Sequence, residues 1–571
     1  MRYVCLTCDF DGTIARDGLV QQSTLEAVEK VRASGRKLIL ATGRQLEDLV
    51  KVFPEVRMFD RIIAENGGVL YRPASKEQVA LAEAPGREFV DELERRGVQP
   101  LAVGRCVVAT WHPNESVVLD VIRTMSLELQ IIFNKNAVMV LPSGVNKGTG
   151  VRAALKELKL SPHNVVGVGD AENDHAFLGL CECSIAVSNA LPALKERADL
   201  VTERSHGAGV EQVIELLLKN DLADLAPRLK RHDILLGTKG KDEPYCLPAY
   251  GSSWLVAGPS GSGKSTVFSA VVERLVESEY QVCLFDPEGD YEELEHLIAV
   301  GGPERTPAAL EILEILDNPG QSLSINLLGV PLADRPSFFQ STLARLQQLR
   351  FKTGRPQWIV VDEAHHVVPT ELGAADIALP KELENLVLVT VHPDLMSPAI
   401  LNSVRGIIAV GPEPRFVFDI FNKATGRHLN AEVLDQVQDT GRVVAWRFDD
   451  PQGACSVKVE PAKGQRRRHL RKYASGELGE DKSFYFRGSD GKLNLRAQNM
   501  NLFAQLAEGV DPETWSFHLR QGDYSRWLRV ATKDKDIAEL VERIEKDEKL
   551  GTGESRKQIV EAIRKHYTAA A

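Results

Sequence analysis

The sequence predicts an α/β protein built as two successive parallel-sheet domains followed by a small, mainly helical one. Three observations carry this. The stretch Gly258-Pro-Ser-Gly-Ser-Gly263-Lys264-Ser265-Thr266 lies between the apolar run Trp254–Ala257 and the helix-like run Val267–Leu275, the strand, loop and helix that a phosphate-binding loop requires. Before it, several short apolar runs end in acidic or hydroxyl-bearing turns, as in an open sheet with its site at the carboxyl ends of the strands. After it, the apolar run ending in Asp362-Glu363 supplies the acidic partner of the glycine loop.

With 571 residues the chain is too long for one core. Residues 1–220 are expected to form the first domain, with an inserted cap at about 68–142. A linker with a hairpin follows at 221–240, then the phosphate-loop domain at 241–462 and the helical domain at 463–571. Hydrophobic content of 43% and charge of 26% exclude disordered and fibrous classes. A formal charge of −11 gives no global attraction for nucleic acid. The expectation is a cytoplasmic protein: nothing before Met1-Arg-Tyr-Val reads as a signal peptide, the eight cysteines form no framework, and no apolar run reaches a membrane span. Cys5 and Cys8, like Cys181 and Cys183, read as core thiols of strands.

In the first domain, the strand Tyr3–Thr7 runs into Asp9-Phe-Asp11-Gly12-Thr13, two carboxylates on one side of a strand's end where a cation can hold them together. Leu38-Ile-Leu-Ala-Thr42-Gly43-Arg44, Asn146-Lys147-Gly148 and Val168-Gly169-Asp170-Ala-Glu-Asn173-Asp174 follow in order. A carboxylate attacks a phosphate dianion only where a metal and a lysine cancel the repulsion, and the set supplies candidates for both.

These four motifs, with Asn189-Ala-Leu-Pro-Ala-Leu-Lys195 after them, resemble the haloacid dehalogenase superfamily of phosphatases, in its type II, Cof-like branch. The resemblance implies a Rossmann-like core with an α+β cap. It implies that Asp9 attacks phosphorus to give an aspartyl-phosphate, while Asp11 protonates the leaving group and then activates water. Mg²⁺ would lie among Asp9, the Asp11 carbonyl, Asp170 and Asp174; Thr42 and Lys147 would bind phosphoryl oxygens, with Gly43, Arg44 and Asn173 in support. A cap excludes water and selects substrate, so Arg105, Trp111 and His112 are candidates for specificity, Trp111 being equally readable as cap core. A small phosphorylated metabolite is the expected substrate.

In the second domain, Gly258, Ser260, Gly261, Ser262 and Gly263 would turn backbone N–H groups onto the phosphates of ATP. Lys264 would reach the terminal phosphates, with the Ser265 hydroxyl on Mg²⁺ and Thr266 beside it. Strands are expected at Gln281–Phe285, ending in Asp286-Pro-Glu-Gly-Asp290-Tyr291, then, after a long helical region, at Ser322–Leu327, at Trp358–Val361 and at Asn385–Val391. Asp362 would fix the Mg²⁺ water shell, Glu363 would orient or deprotonate water, and Thr390 or His392 would sense the terminal phosphate. His365 and His366 read as packing beside that strand.

Residues Ile234–Val459 resemble the HerA-type and conjugative-pump ATPases, RecA-like proteins of the additional-strand class. That resemblance implies ATP hydrolysis, and a ring with an arginine donated by a neighbour, for which Arg405, Arg415 and Arg427 are candidates. One position departs from it: His392 stands at or near the place where such pumps carry glutamine, so coupling of hydrolysis to movement does not follow.

In the tail, the basic run Arg466–Lys472 reads as a solvated linker, Leu493–Leu506 and Asp536–Lys549 as helices, and the aromatic stretch Thr514–Trp527 as core. The combined expectation is a Mg²⁺-dependent phosphomonoesterase fused to an ATPase that gates it. Kept beside it are end repair of the polynucleotide kinase-phosphatase kind, a DNA-dependent motor or defence ATPase with a nucleotide-directed phosphatase, and a switch that binds ATP without turnover.

Overall fold

The computed structural model describes residues 1–134, 136–240, 242–291, 294, 296–370, 384–427, 441–462, 483–488, 493–531, 535–547 and 549–568. They divide into two compact units, the first running through both α/β domains to Glu460, the second formed by the C-terminal residues. The basic run at 466–472 lies outside the described residues.

The first domain is an eight-stranded sheet. From edge to edge its strands are Leu200–Val201, Cys183–Ala186, Val165–Gly169, Cys5–Asp9, Lys37–Ala41, Arg61–Ala64, Val69–Arg72 and Glu77–Ala80. The first six run parallel and are apolar on both faces because helices such as Gln22–Ala33 and His206–Asn220 cover them. The register pairs Asp9 with Ala41, so Asp9, Thr42 and Asp170 leave one rim of the sheet together. Cys5, Cys8, Cys181 and Cys183 are free and buried.

The cap is smaller than the sequence implied. Val69–Arg72 and Glu77–Ala80 pair antiparallel on the edge of the core sheet. The separate cap sheet is Ala102–Val103, Val108–Trp111, Ala137–Pro142 and Leu129–Asn134. Helices Arg87–Arg95 and Glu115–Thr124 bury Phe89, Leu93, Val118 and Val121 against it.

Among the described residues the ATPase sheet has eleven strands. Seven are parallel: Gly406–Val410, Ser253–Ala257, Leu386–Thr390, Trp358–Val361, Val282–Asp286, Ser322–Asn326 and Leu297–Gly301. A strand therefore stands between the one that enters the glycine loop and the one that ends at Asp362, the hallmark of the additional-strand class. Leu297–Gly301, within the expected long helical region, is an edge strand, where a short apolar run finds its only partner on one side. The expected hairpin is present and belongs to the ATPase sheet. Ile234–Lys239 pairs with Glu243–Leu247 and with Cys455–Val459, extending the sheet antiparallel. Residues 221–233 do connect the domains, through a short 3₁₀ turn at Ala223–Arg228.

In the C-terminal unit the hairpin Phe484–Phe486 with Leu495–Ala497 precedes five helices, Met500–Gly509, Pro512–Gln521, Asp523–Ala531, Lys535–Glu545 and Thr552–Thr568. Leu495–Ala497 is strand where helix was expected. The helix starts later because the Asn499 side chain accepts from the Leu502 N–H at 2.8 Å and caps it. The aromatic stretch is core: Trp515 stacks on Tyr524 at 4.3 Å and Trp527 on Phe503 at 4.8 Å.

Candidate functional site

At the rim of the first sheet, Asp9 ends its strand at 4% exposure, and Lys147 opens the helix Lys147–Leu158 at 1%. Asn146 fixes that start through a reciprocal cap with Thr149. The Lys147 ammonium bridges Asp9 Oδ1 at 2.5 Å and Asp174 Oδ1 at 2.6 Å. Asp174 Oδ2 in turn accepts the N–H groups of Asp170 (2.8 Å) and Ala171 (3.0 Å). Burial and the neighbouring Asp174 push the Asp9 carboxyl upward, against the pull of Lys147. Burial opposes the Lys147 charge, but Asp174 and Asp9 raise it above its ordinary value. Asp9, Asp170 and Asp174 hold carboxylate oxygens within 4.8 Å of one another, a set whose excess negative charge fits a divalent cation.

Asp11 lies across this pocket, gripped by Arg44 through two bonds of 2.7 and 2.8 Å. Thr42 is buried, its hydroxyl accepting the Arg44 N–H at 3.1 Å. Asn173 donates to Asn66 Oδ1 at 3.0 Å. A Cβ at Gly43 would come within 2.8 Å of the methyl of cap residue Met139, so the cap closes onto this position. Of the cap candidates, Trp111 is 54% exposed and not cap core, and His112 pairs with Glu115 at 2.8 Å. Arg105 enters through its backbone.

That backbone leads to a residue the sequence reading passed over. Glu65 is buried, at φ +50°, and accepts the N–H groups of Arg105 (3.0 Å), Cys106 (2.7 Å) and Val107 (3.2 Å). It ties the entry of the cap sheet to the turn whose next residue, Asn66, holds Asn173. Its signal was present: Glu65-Asn66-Gly67 follows the apolar strand Arg61–Ala64, just as the recognised motifs follow theirs.

In the second domain the glycine loop leaves the strand Ser253–Ala257 and enters the helix Lys264–Glu277, with Gly261 and Gly263 at φ +74° and +101°. Ser260 lies in the loop, and Ser265 and Thr266 in the first turn of the helix. Gly258 packs against the Val410 carbonyl, leaving no space for a side chain. Lys264 donates to its own loop's Pro259 carbonyl at 2.9 Å, and burial draws it below its ordinary value. The Ser262 hydroxyl is buried without a partner, as befits a group that meets a phosphate. Register pairs Ala257 with Thr390, bringing the loop, Thr390 and Asp362 to one rim.

Burial pushes Asp362 up to about 6, although Glu363's N–H and the Tyr291 side chain bond to it. Glu363 adopts φ +37°, and burial and Glu288 raise it. Thr390 Oγ1 accepts the His392 N–H and pairs with His365 Nδ1, both at 3.0 Å. Burial, then His366 and His392, lower His365 to about 4, so its ring is neutral. Arg405 and Arg427 bond to the Gly251 and Asn402 carbonyls of this chain at 2.8 and 2.9 Å, and Arg415 lies on the helix Pro414–Thr425.

Two catalytic α/β domains are thus joined in one chain, one with a capped aspartate-lysine pocket and one with a phosphate loop and an acidic pair. Residues 6–104 and 124–214 match the haloacid dehalogenase-like hydrolase family, and residues 247–349 match the family described as Helicase HerA, central domain. The chain carries a haloacid dehalogenase-type phosphatase domain followed by a HerA-type ATPase domain. Phosphoglycolate phosphatase 2 of Saccharolobus solfataricus is 27% identical over 228 residues, 38% of this chain and 94% of that protein. The phosphoglycolate phosphatase of Methanosarcina acetivorans is 28% identical over 225 residues, 38% of this chain and 99% of that protein. A solved haloacid dehalogenase-like hydrolase from Bacteroides thetaiotaomicron, 18% identical, covers 38% of this chain and 99% of its own, with a TM-score of 0.34. No described helix is long and apolar enough to cross a membrane.

Proposed function

We propose that the chain is a bifunctional hydrolase: a phosphomonoesterase acting through Asp9 on a small phosphorylated acid of the phosphoglycolate kind, and an ATPase whose nucleotide state gates it. The observation that carries this reading is Lys147 spanning Asp9 and Asp174 inside a buried pocket under a cap. The substrate class follows from relatives called phosphoglycolate phosphatase, matched over nearly their full length.

In the first step an Asp9 oxygen bonds to phosphorus as the ester P–O bond breaks, and the leaving alkoxide takes the Asp11 proton. Water then displaces the phosphate from Asp9, its proton passing to Asp11. Arg44 orients Asp11, while Lys147 and Thr42 hold phosphoryl oxygens. Asp9, Asp170, Asp174 and the Asp11 carbonyl would hold Mg²⁺, which supplies charge neutralisation for the incoming dianion. Asp9, Asp170 and Asp174 already converge on one point, which suits that ion. In the ATPase, Gly258 to Thr266 cradle the phosphates of ATP, with Ser265 and Asp362 as the metal-side ligands. Glu363 orients the attacking water, and Thr390 and His392 face the terminal phosphate.

The test is phosphate release from a panel of phosphoglycolate, sugar phosphates and nucleotides in Mg²⁺, comparing wild type with Asp9→Asn, and Lys264→Ala with and without ATP. Turnover of a small acid phosphate that vanishes in Asp9→Asn and responds to ATP only when Lys264 is intact supports the reading. A second reading, a DNA-dependent motor, rests on the match to the HerA central domain. ATPase stimulation by DNA with a steep salt dependence would favour it.

A further inference from the structure

Each catalytic lysine opens a helix, and the far ends of these helices meet. Lys147–Leu158 has 12 residues and Lys264–Glu277 has 14, rods of about 18 and 21 Å at 1.5 Å per residue. The turn after the first, Lys159–Asn164, packs against the turn after the second, Ser278–Tyr280. The Tyr280 ring stacks on His163, centroids 3.7 Å apart and planes 9° from parallel. His163 Nδ1 lies 2.7 Å from Glu182 Oε2, and its Nε2 lies 2.7 Å from the Ser278 carbonyl oxygen. The Tyr280 hydroxyl and Arg2 complete the shell of Glu182, at 3.4 and 2.5 Å.

Glu182 is 3% exposed. Burial alone would raise its carboxyl, but His163 and then Arg2 hold it down at about 2, so the joint is an ionised and desolvated one. Arg355 reinforces it by donating to the Lys159 carbonyl at 3.0 Å and the Asp317 carbonyl at 2.9 Å. The ion pairs Arg152–Glu279 and Lys159–Asp317 close the rim. Beside this joint a cavity of about 370 Å³ opens between Leu155, Lys156, Val276 and the turn Asn318–Gly320.

We infer that this seam sets the position of Lys147 according to what Lys264 holds, with His163 and Tyr280 as the positioning residues. The inference rests on the proposed gating and names its route. To bind a terminal phosphate Lys264 must leave the Pro259 carbonyl, and the first turn of its helix follows the phosphates. Displacement of Ser278–Tyr280 carries His163 and the end of the Lys147 helix with it. A shift of a fraction of an ångström at Lys147 alters its bridge between Asp9 and Asp174, and a misplacement of about 1 Å can change turnover by about 10²-fold.

The experiment uses the full chain with p-nitrophenyl phosphate as phosphatase probe and a non-hydrolysable ATP analogue. In wild type the analogue should change phosphatase kcat by roughly fivefold or more at little change in KM. Tyr280→Leu should lose that response; Tyr280→Phe, which keeps the stack, should retain most of it. Arg152→Glu and Glu279→Arg should each weaken the response, and the double swap should restore it. A folded Tyr280→Leu with the wild-type response would overturn the inference. Should that variant not fold, undiminished responses in the two single swap variants would overturn it instead. If wild-type turnover ignores the analogue, gating itself fails, and hydrogen exchange then judges the seam. Analogue-dependent protection of residues 147–164, lost in Tyr280→Leu or, should that variant not fold, in Arg152→Glu, would uphold the seam, and its absence in wild type would sink it.

Discussion

In the phosphatase pocket Lys147 already spans Asp9 and Asp174, and Arg44 already grips Asp11, so the charges are partnered before a ligand arrives. In the ATPase pocket Lys264 is turned onto a carbonyl of its own loop, the Ser262 hydroxyl has no partner, and Asp286 and Asp362 are each pushed up to about 6 by burial. Both centres lie at the carboxyl rim of a parallel sheet, yet in one the lysine is committed to two buried carboxylates and in the other to a carbonyl of its own loop. A lysine that partners buried carboxylates stabilises the fold; a lysine held for a phosphate does not. The same residue type therefore carries opposite consequences for stability in the two halves of the chain.

The largest effects separate the two chemistries. Asp9→Asn should lower phosphatase turnover by about 10³-fold or more while ATP hydrolysis stays at wild-type level. Glu363→Gln should do the reverse, by about 10²-fold or more. Loss of both activities in either variant, in separate assays, would mean that the centres are not distinct. Next comes stability. Lys147→Met leaves Asp9 and Asp174 buried without their cation and should destabilise the first domain by about 3–5 kcal/mol in urea unfolding. Lys264→Met, which removes a charge that burial disfavours, should leave unfolding within about 0.5 kcal/mol of wild type. Equal losses in the two variants would erase the contrast between the pockets.

Much of both sites was legible because each motif is local: Asp9, Thr42, Asp170, Lys264 and Asp362 sit at or just beyond the ends of apolar strands, where parallel pairing delivers them to one rim. What stayed hidden is what depends on partners distant in sequence. Val69–Arg72 and Glu77–Ala80 read as cap until their antiparallel pairing with the core is seen, and the hairpin that Ile234–Lys239 opens does not show its second partner until Cys455–Val459 lies beside it. Glu65 follows an apolar strand as the recognised residues do, but only the folded chain brings three backbone N–H groups to it and so shows its role. The Glu182, His163 and Tyr280 joint has no motif, since stacking and desolvation across a domain seam leave no spacing to read.

A pH scan sharpens the contrast further. Asp286 accepts the N–H groups of Asp290 at 3.1 Å and Tyr291 at 2.8 Å, yet burial holds its carboxyl at about 6, above its ordinary 3.8. The folded state therefore binds this proton more tightly than the unfolded chain does. Its contribution to stability is fully present below about pH 4 and is lost as pH rises to about 6. Asp286→Asn removes the titration and keeps an oxygen acceptor for one of the two N–H groups, and that lost bond is a pH-independent offset, so the change with pH is the readout. The stability difference between wild type and variant should shift by about 2 kcal/mol against wild type from pH 4 to pH 7. A pH-independent difference would show that the ATPase half carries no such uncompensated acid.

The smallest expected effect concerns Glu363. Its backbone sits at φ +37°, a left-handed conformation that an L side chain adopts at a penalty of about 1 kcal/mol and glycine does not. The carboxylate lies 3.4 Å from His365 Nδ1, whose hydrogen bond runs to Thr390. Beyond the bond its carboxylate accepts from the Val391 backbone and the nearby Lys264 charge, glutamate at this position adds little to the fold. Glu363→Gly should have an unfolding free energy about 1 kcal/mol above that of Glu363→Ala while ATP hydrolysis stops. Glu363→Ala, which loses the carboxylate but keeps the Cβ, should abolish hydrolysis without that gain. The pair separates backbone strain from the loss of the acid. A Glu363→Gly variant no more stable than Glu363→Ala would mean that the strain is relieved in solution.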